Sequence, residues 1–390
     1  MLNIKKQIRL LYLSSVLGNL SVTGAWVAIL AFRGFSLVQI GVAETVFHIT
    51  SLIFEIPSGI LADRYGRKKM LIVSHVMAVI GNLIMVFSEG LGMVCLSFVF
   101  HALNYNFASG SGDALAYDSL KSVKQEGRYE TYFSNQMIIY RVGSALSTLC
   151  AGLAFWMGYK MAYFVSAITH VVTLLVVLGL VEVQVAGAVD AQEAAEQKGI
   201  APAVQDKVTQ ELTGDKHIIF GMIIGMMNHF KDSILFLARN GKATRLMFAN
   251  SLVGAIDILL LFFLQAKLTS AGIMSRDLGI ALFVMEMGGI VGARMIVRIK
   301  RGRYLKIFML CTAGVLTGVL LEHSGVIPVM VFGGFLSAMA DDALQVRTDA
   351  LLQESFPSQQ RATLISISSF TFSVIMIVLS PLAGYFYSVW

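Results

Sequence analysis

The sequence predicts an all-α polytopic membrane protein, and three observations carry that prediction. Hydrophobic residues fill 56% of the 390 positions and charged residues only 14%, where soluble domains carry about a quarter. Apolar stretches near the length of about 20 residues that a helix needs to cross a bilayer core recur along most of the chain. Lysine and arginine gather on alternate sides of those stretches. A water-soluble chain of this size has no way to hide so much apolar surface.

Eleven spans are expected, near 10–31, 39–61, 69–88, 91–116, 132–157, 161–183, 246–268, 278–299, 306–322, 325–350 and 362–387. The first is expected to persist as a helix, because no small-residue cleavage site follows it. Glycines recur inside the spans, among them Gly18, Gly24, Gly81, Gly143 and Gly152. Inside membranes such glycines let helices approach closely.

The 30 basic residues orient the chain. With a cytoplasmic N-terminus, 23 lie in inner segments, four in outer segments (Arg33, Lys160, Lys267, Arg276) and three within spans (Arg141, Arg294, Arg347). Long loops are poor topology evidence, and dropping the central seven leaves 16 against four, a strong positive-inside bias. The net charge of +6 is therefore a topology signal, and no nucleic-acid partner is expected. The localisation expected is the inner (cytoplasmic) membrane. Cys95, Cys150 and Cys311 all fall within spans, so they read as packing residues and suggest neither disulfides nor a metal site.

A break divides the chain into a six-span unit, 1–183, a central loop, 184–245, and a five-span unit, 246–390. The loop opens with a linker rich in Ala, Gln, Glu and Asp, 182–210, of flexible character. Residues 217–245 alternate apolar and basic positions, as an interfacial segment would. The halves echo each other. Gly112-Asp113-Ala-Leu closes span 4 and Asp341-Asp342-Ala-Leu closes span 10, while Cys150-Ala-Gly152 in span 5 matches Leu382-Ala-Gly384 in span 11. Parallel repeats of six spans suit a transporter built from two pseudo-equivalent bundles. On that register Trp390 corresponds to Gly158, and the counterpart of span 6 is missing. Either the chain is truncated before a twelfth helix, or it works with eleven and its C-terminus lies outside.

After span 2 stands Gly59-Ile-Leu-Ala-Asp63-Arg64-Tyr-Gly66-Arg67-Lys68. It resembles the loop signature between helices 2 and 3 of the major facilitator superfamily, G-x-L-A-D-R-x-G-R-K, at eight positions and in the matching topological slot. Glu55-Ile-Pro57-Ser-Gly59, Asp113-Ala-Leu-Ala-Tyr-Asp118 and Arg361-Ala-Thr-Leu-Ile-Ser366 resemble bacterial drug-exporter-like members. The resemblance implies two pseudo-symmetric helical bundles, a small-molecule substrate and a cytoplasmic latch made by Gly59, Asp63, Arg64, Gly66 and Arg67. Gly59 would let span 11 approach. Asp63 would sit at the positive N-terminus of that span, near Ser358–Arg361. Arg64 and Arg67 would pair with acids at neighbouring helix ends. Span 4 carries His101, Asn104 and Asn106 where many exporters place an arginine, and span 5 has no Gly-Pro element, so the direction of transport stays open.

An ionised side chain at mid-bilayer costs about 3 kcal/mol or more, so charges within spans mark candidate sites. Glu44, His48 and Glu55 in span 2 are four and seven residues apart. At about 100° per residue all three fall within about 40° on one face. Asp257 in span 7, on the same face as Asn250, and Glu286 in span 8 are expected to face a cavity or carry a proton. Arg141 in span 5 is a candidate counter-charge to an acid or an anionic substrate. Asp113, with Asp118, Asp341, Asp342, Arg347 and Asp349, clusters near the inner ends of spans 4 and 10, where interhelical pairing is expected. Asn19 and the polar stretch from Asn104 to Gly112 resemble cavity-lining segments of the superfamily. No G-x-x-x-x-G-K-[ST] loop, catalytic constellation or metal-ligand cluster appears in the sequence, so neither an enzyme nor a cofactor is expected. The expected function is secondary active transport of a small organic solute by a monomer in the lipid bilayer, coupled to protons, with multidrug efflux the leading form. The alternatives are a metabolite uptake symporter and a truncated, transport-inactive or receptor-like protein.

Overall fold

The computed structural model describes residues 3–183, 231, 235, 239–299, 304–355 and 361–389. The expected interfacial segment lies largely outside these residues. The first helices are α1 (Ile4–Asn19), α2 (Trp26–Phe32), α3 (Leu37–Tyr65), α4 (Arg67–Phe87), α5 (Leu91–Ala108), α6 (Ser111–Lys121), α7 (Tyr129–Leu149), α8 (Ala151–Met157) and α9 (Tyr159–Leu178). After the central loop come α10 (Gly241–Ser270), α11 (Ser275–Arg298), α12 (Tyr304–Glu322), α13 (Ile327–Ser355) and α14 (Arg361–Val389). Nine helices among the described residues are long and apolar enough to cross a membrane, or ten if the bent pair α7–α8 is one span.

The continuous span expected over 10–31 is broken between Asn19 and Trp26. Unwound backbone survives at membrane depth only where the protein satisfies it, and here α7 does so. Ser147 Oγ accepts from Ser21 N at 2.9 Å and donates to Asn19 O at 3.0 Å. Span 4 is interrupted at Ser109-Gly110, where Gly110 takes φ +71° between α5 and α6. Elsewhere local chemistry sets the ends. Ser36 and Gln39 form a reciprocal capping box at the start of α3, satisfying donors that the first turn leaves free.

Close packing follows the small residues. Along α11, Gly288 and Gly292 are one helical turn apart, and a Cβ at either would run into the α13 backbone at Phe335 or Met339. Such small-xxx-small faces allow the tight approach that holds helices together in lipid.

One end of the molecule is sealed by contacts between the residues before and after the central loop. A Cβ on Gly41 of α3 would strike the backbone at Ser380 and Pro381 of α14, and one on Gly384 of α14 would strike Leu37. Gly279 of α11 meets Leu149 of α7 in the same way. Trp26 of α2 sits edge-on to Phe262 of α10, with ring centroids 5.3 Å apart. At the other end, which carries the Gly66 turn, no glycine-to-backbone contact of this kind joins the same helices among the described residues.

Candidate functional site

A cavity of about 910 Å³ lies between α3, α5 and α7 on one side and α10, α13 and α14 on the other. Gly59, Ser109 and Gln345 line it toward the Gly66 end and are exposed, whereas the deeper Glu44, His48 and Ser51 are buried. The pocket is therefore a funnel that stops beneath the α3–α14 seal.

The helical face read from α3 supplies its most polar wall. Glu44, His48, Ser51, Glu55 and Ser58 all line the cavity. His48 Nε2 lies 3.4 Å from Glu44 Oε1 one turn away. Ser51 donates to Asn106 Oδ1 at 2.8 Å, and Asn106 Nδ2 returns a 2.6 Å bond to Ser51 O. That exchange fixes α3 against α5. Aromatic rings of Phe47, Tyr105, Tyr140, Phe262 and Phe372 supply the apolar wall. The carboxylates Glu44, Glu55 and Asp341 line it, and no lysine or arginine does among the described residues.

Asp257 is 5% exposed and stands behind this wall, on the α13 side of α10. Ser337 Oγ of α13 donates to its Oδ1 at 2.5 Å. Asp342 and Glu286 are near enough to act on it electrostatically, as is Asp341. Asp341 lines the cavity and would touch a Cβ on Gly254, while Asp342 would meet one on Gly289. Two missing side chains thus make room for two carboxylates, and Asp341 links the cavity to Asp257. Glu286 is half-buried on α11 and outside the cavity lining.

Other expected residues stand elsewhere. Asn19 and Asn104 are not part of the lining, and the polar residues of span 4 that do reach it are Tyr105, Asn106 and Ser109. Asn19 sits at the helix break, with its Nδ2 bonded to Ser15 O at 2.8 Å and its Cβ against Gly143. Asn104 and Asn106 differ by about 200° around α5, so only one of them can face the cavity. Asp113 lies in the first turn of α6 near Tyr132, where a carboxylate suits the helix N-terminus. The Arg141 side chain lies outside the described residues. Residues that sequence reasoning passed over include Ser51, Ser251, Ser368, Ser369 and Ser373. The only signal for the last three was their spacing with Phe372 on one side of α14.

The loop motif ties together neighbouring helices of the first half. Arg67 forms an ion pair with Asp118 at the end of α6. Glu182, just after α9, accepts from Arg67 N and Lys68 N at 3.0 Å each, capping α4 from a distant part of the chain. Gly66 adopts φ +101°, and a Cβ there would collide with the Glu182 carboxylate. Lys68 Nζ also donates to Leu178 O at 2.9 Å. Gly59, expected against span 11, is instead at the mouth of the cavity. No heavy atom among the described residues comes within 4 Å of its would-be Cβ. The side chains of Asp63 and Arg64 lie outside the described residues, as do 358–360.

The family model of the Major Facilitator Superfamily matches residues 10–336. The chain belongs to this superfamily. It is thus a multi-pass membrane protein of a transporter family. An uncharacterized MFS-type transporter of Bacillus subtilis, YxaM, is 33% identical over 86 residues, 22% of each protein. An uncharacterized transporter of Buchnera aphidicola is 29% identical over 178 residues, 45% of this chain and 42% of the relative. The matched stretches therefore span less than half of those relatives. Among solved structures, the nucleoside transporter NupG superposes with a TM-score of 0.72 at 14% identity, covering 98% of this chain and 91% of that one. The D-xylose-proton symporter superposes with a TM-score of 0.66 at 10% identity, covering 97% and 90%. At these identities the likeness speaks for the fold alone.

Proposed function

We propose that this protein is a secondary active transporter that exports a small, cationic organic solute across the cytoplasmic membrane in exchange for protons. The observation that carries this reading is the cavity itself. Among the described residues it is sealed at one end by backbone-to-glycine contacts, open at the other, and lined by Glu44, Glu55 and Asp341 together with five aromatic rings. Carboxylates facing aromatic surface suit a cation with a flat apolar body.

In this reading the chain forms two pseudo-symmetric bundles, 1–183 and 246–390, joined by the loop 184–245, with eleven spans and a cytoplasmic N-terminus, and it works as a monomer. The open end then faces the cytoplasm, and the conformation is the inward-open one. Alternating access requires the α3–α14 seal to part while the Gly59 end closes. In the closed arrangement Gly59, Asp63, Arg64, Gly66 and Arg67 act as the latch. Asp257, Asp341 and Glu286 carry the coupling proton: a carboxylate hydrated in one state and desolvated in the other changes its proton affinity with conformation. Glu44 and His48 form the second candidate relay, and Arg141 the counter-charge. The drug-exporter-like stretches support the exporting direction. The uptake symporter remains the second reading, favoured by the missing arginine of span 4 and the missing Gly-Pro of span 5.

Flux of ethidium into everted vesicles with an acidic lumen tests both readings. Export predicts accumulation that needs the pH gradient, and Asp257→Asn is expected to abolish it while detergent-solubilised protein still binds the dye. Uptake by right-side-out vesicles with an acidic exterior would select the symporter. Gradient-driven flux at full rate in the Asn variant would move coupling to Glu44 and His48.

A further inference from the structure

A second groove, of about 440 Å³, lies outside the central cavity between the first turns of α10 and α12. Its walls are Leu246, Ala249, Leu305 and Phe308, with Tyr304 beside them and Lys242 and Arg245 at the rim. Lys242 and Arg245 are exposed and three residues apart on α10, so they share one face. Tyr304 is held in place by a 2.8 Å hydrogen bond to Thr348 Oγ1 on α13 and stacks on Phe308 with ring centroids 6.3 Å apart.

The level of this groove in the bilayer follows from its neighbours. Tyr304 begins a membrane-spanning helix and Arg245 lies in the first turns of another. Arg347 of α13 bonds to Ile296 O and Ile299 O where α11 ends, so the groove belongs to the same end of the bundle as Leu352 and Gly59. It therefore straddles the boundary between headgroups and acyl chains. Phe248 and Leu305 are 52% and 65% exposed beside it, an apolar surface that suits lipid tails. The N-terminus of α10, one residue before Lys242, adds its partial positive charge to the rim. Basic pockets between transmembrane helices suit anionic headgroups.

We propose that this groove is a binding site for an anionic phospholipid, with the phosphate between Lys242 and Arg245 and an acyl chain along Leu246, Ala249 and Phe308. Charge complementarity selects this occupant. The chain segment that precedes α10 carries Lys231 and Arg239 against a single acid, Asp232, over 217–240, so its charge does not complement a basic rim. A zwitterionic phospholipid fits the apolar wall but gains little from two cations. The central cavity, with its carboxylates, takes the opposite charge, so the two sites do not compete.

The test uses the delipidated full-length protein in a neutral detergent, with thermal unfolding followed on adding dioleoylphosphatidylglycerol, dioleoylphosphatidylcholine or inorganic phosphate. Phosphatidylglycerol is expected to stabilise at about 30-fold lower concentration than phosphatidylcholine, as two membrane-level cations would give, and inorganic phosphate is expected to do nothing. The exposed pair Lys242→Gln with Arg245→Gln should erase the preference without altering the melting of the lipid-free protein. Ala249→Phe keeps both charges and fills the apolar wall, and should also erase it. Equal stabilisation by the two lipids, a preference that survives either variant, or an effect of phosphate alone would each overturn the proposal. Native mass spectrometry of retained phosphatidylglycerol gives an independent readout should one variant melt early, with loss of the bound lipid expected in both variants and its retention counting against the site.

Discussion

Replacing Gly41 by alanine puts the seal of the cavity under direct test. The added Cβ would stand 2.7 Å from Ser380 C and 2.9 Å from Pro381 Cα, and backbone atoms cannot rotate away as a side-chain tip can. Relief requires α3 and α14 to separate by roughly an ångström at the sealed end, the direction in which that end opens. Overpacking a tight contact costs about 1–3 kcal/mol, and the cost falls only on the conformation in which the contact is made. The ratio of states should therefore move about 5- to 150-fold toward the one with this end open. The assay is alkylation of Ser369→Cys, a cavity residue, in a background lacking Cys95, Cys150 and Cys311, with a membrane-impermeant reagent applied from each side in turn. Gly41→Ala should slow labelling from the Gly66 side and speed it from the other. Gly59→Leu should do the reverse, because Gly59 is open here and must close against its partner in the other state. Unchanged labelling from both sides in Gly41→Ala, with normal folding, would refute the view that this contact is a seal that opens and closes.

Further outcomes follow from the same structure. Glu182→Gln keeps the shape but weakens two charge-assisted bonds to Arg67 N and Lys68 N, so thermal unfolding should show a loss of about 1 kcal/mol with transport retained. Ser147→Ala strips partners from Asn19 O and Ser21 N at the α1–α2 break and should cost about 1–3 kcal/mol, seen as a lower melting temperature and faster proteolysis near residue 21. Asp257→Asn should uncouple flux from an imposed pH gradient, and Asn104→Ala should leave dye binding nearly unchanged whereas Asn106→Ala weakens it, measured by titration in detergent.

The placement of most helices, the membrane setting and the superfamily were legible in the sequence, and for one reason. A lipid environment imposes length and hydrophobicity on each span separately, so local composition suffices to find it. The pairing of Arg67 with an acid at a neighbouring helix end was legible in the loop motif, but its partners Asp118 and Glu182 were fixed only by the packing. The face of α3 that carries Glu44, His48 and Glu55 followed from helical periodicity alone, which fixes angles within one helix. Periodicity does not say what that face meets. That Asn106 rather than Asn104 lines the cavity depends on how α5 is rotated against Ser51. That Asp341 connects the cavity to Asp257 depends on Gly254 and on the approach of α13. Glu182 caps a helix 115 residues earlier in the chain, a contact with no trace in local pattern. The break in the first span is equally a tertiary matter: its apolar sequence would support a continuous helix, and the hydroxyl of Ser147 on another helix supplies the hydrogen bonds that let it unwind. Which end of the cavity is shut was decided last, by glycines on α3, α11 and α14 whose missing side chains gain meaning only when a second backbone lies against them.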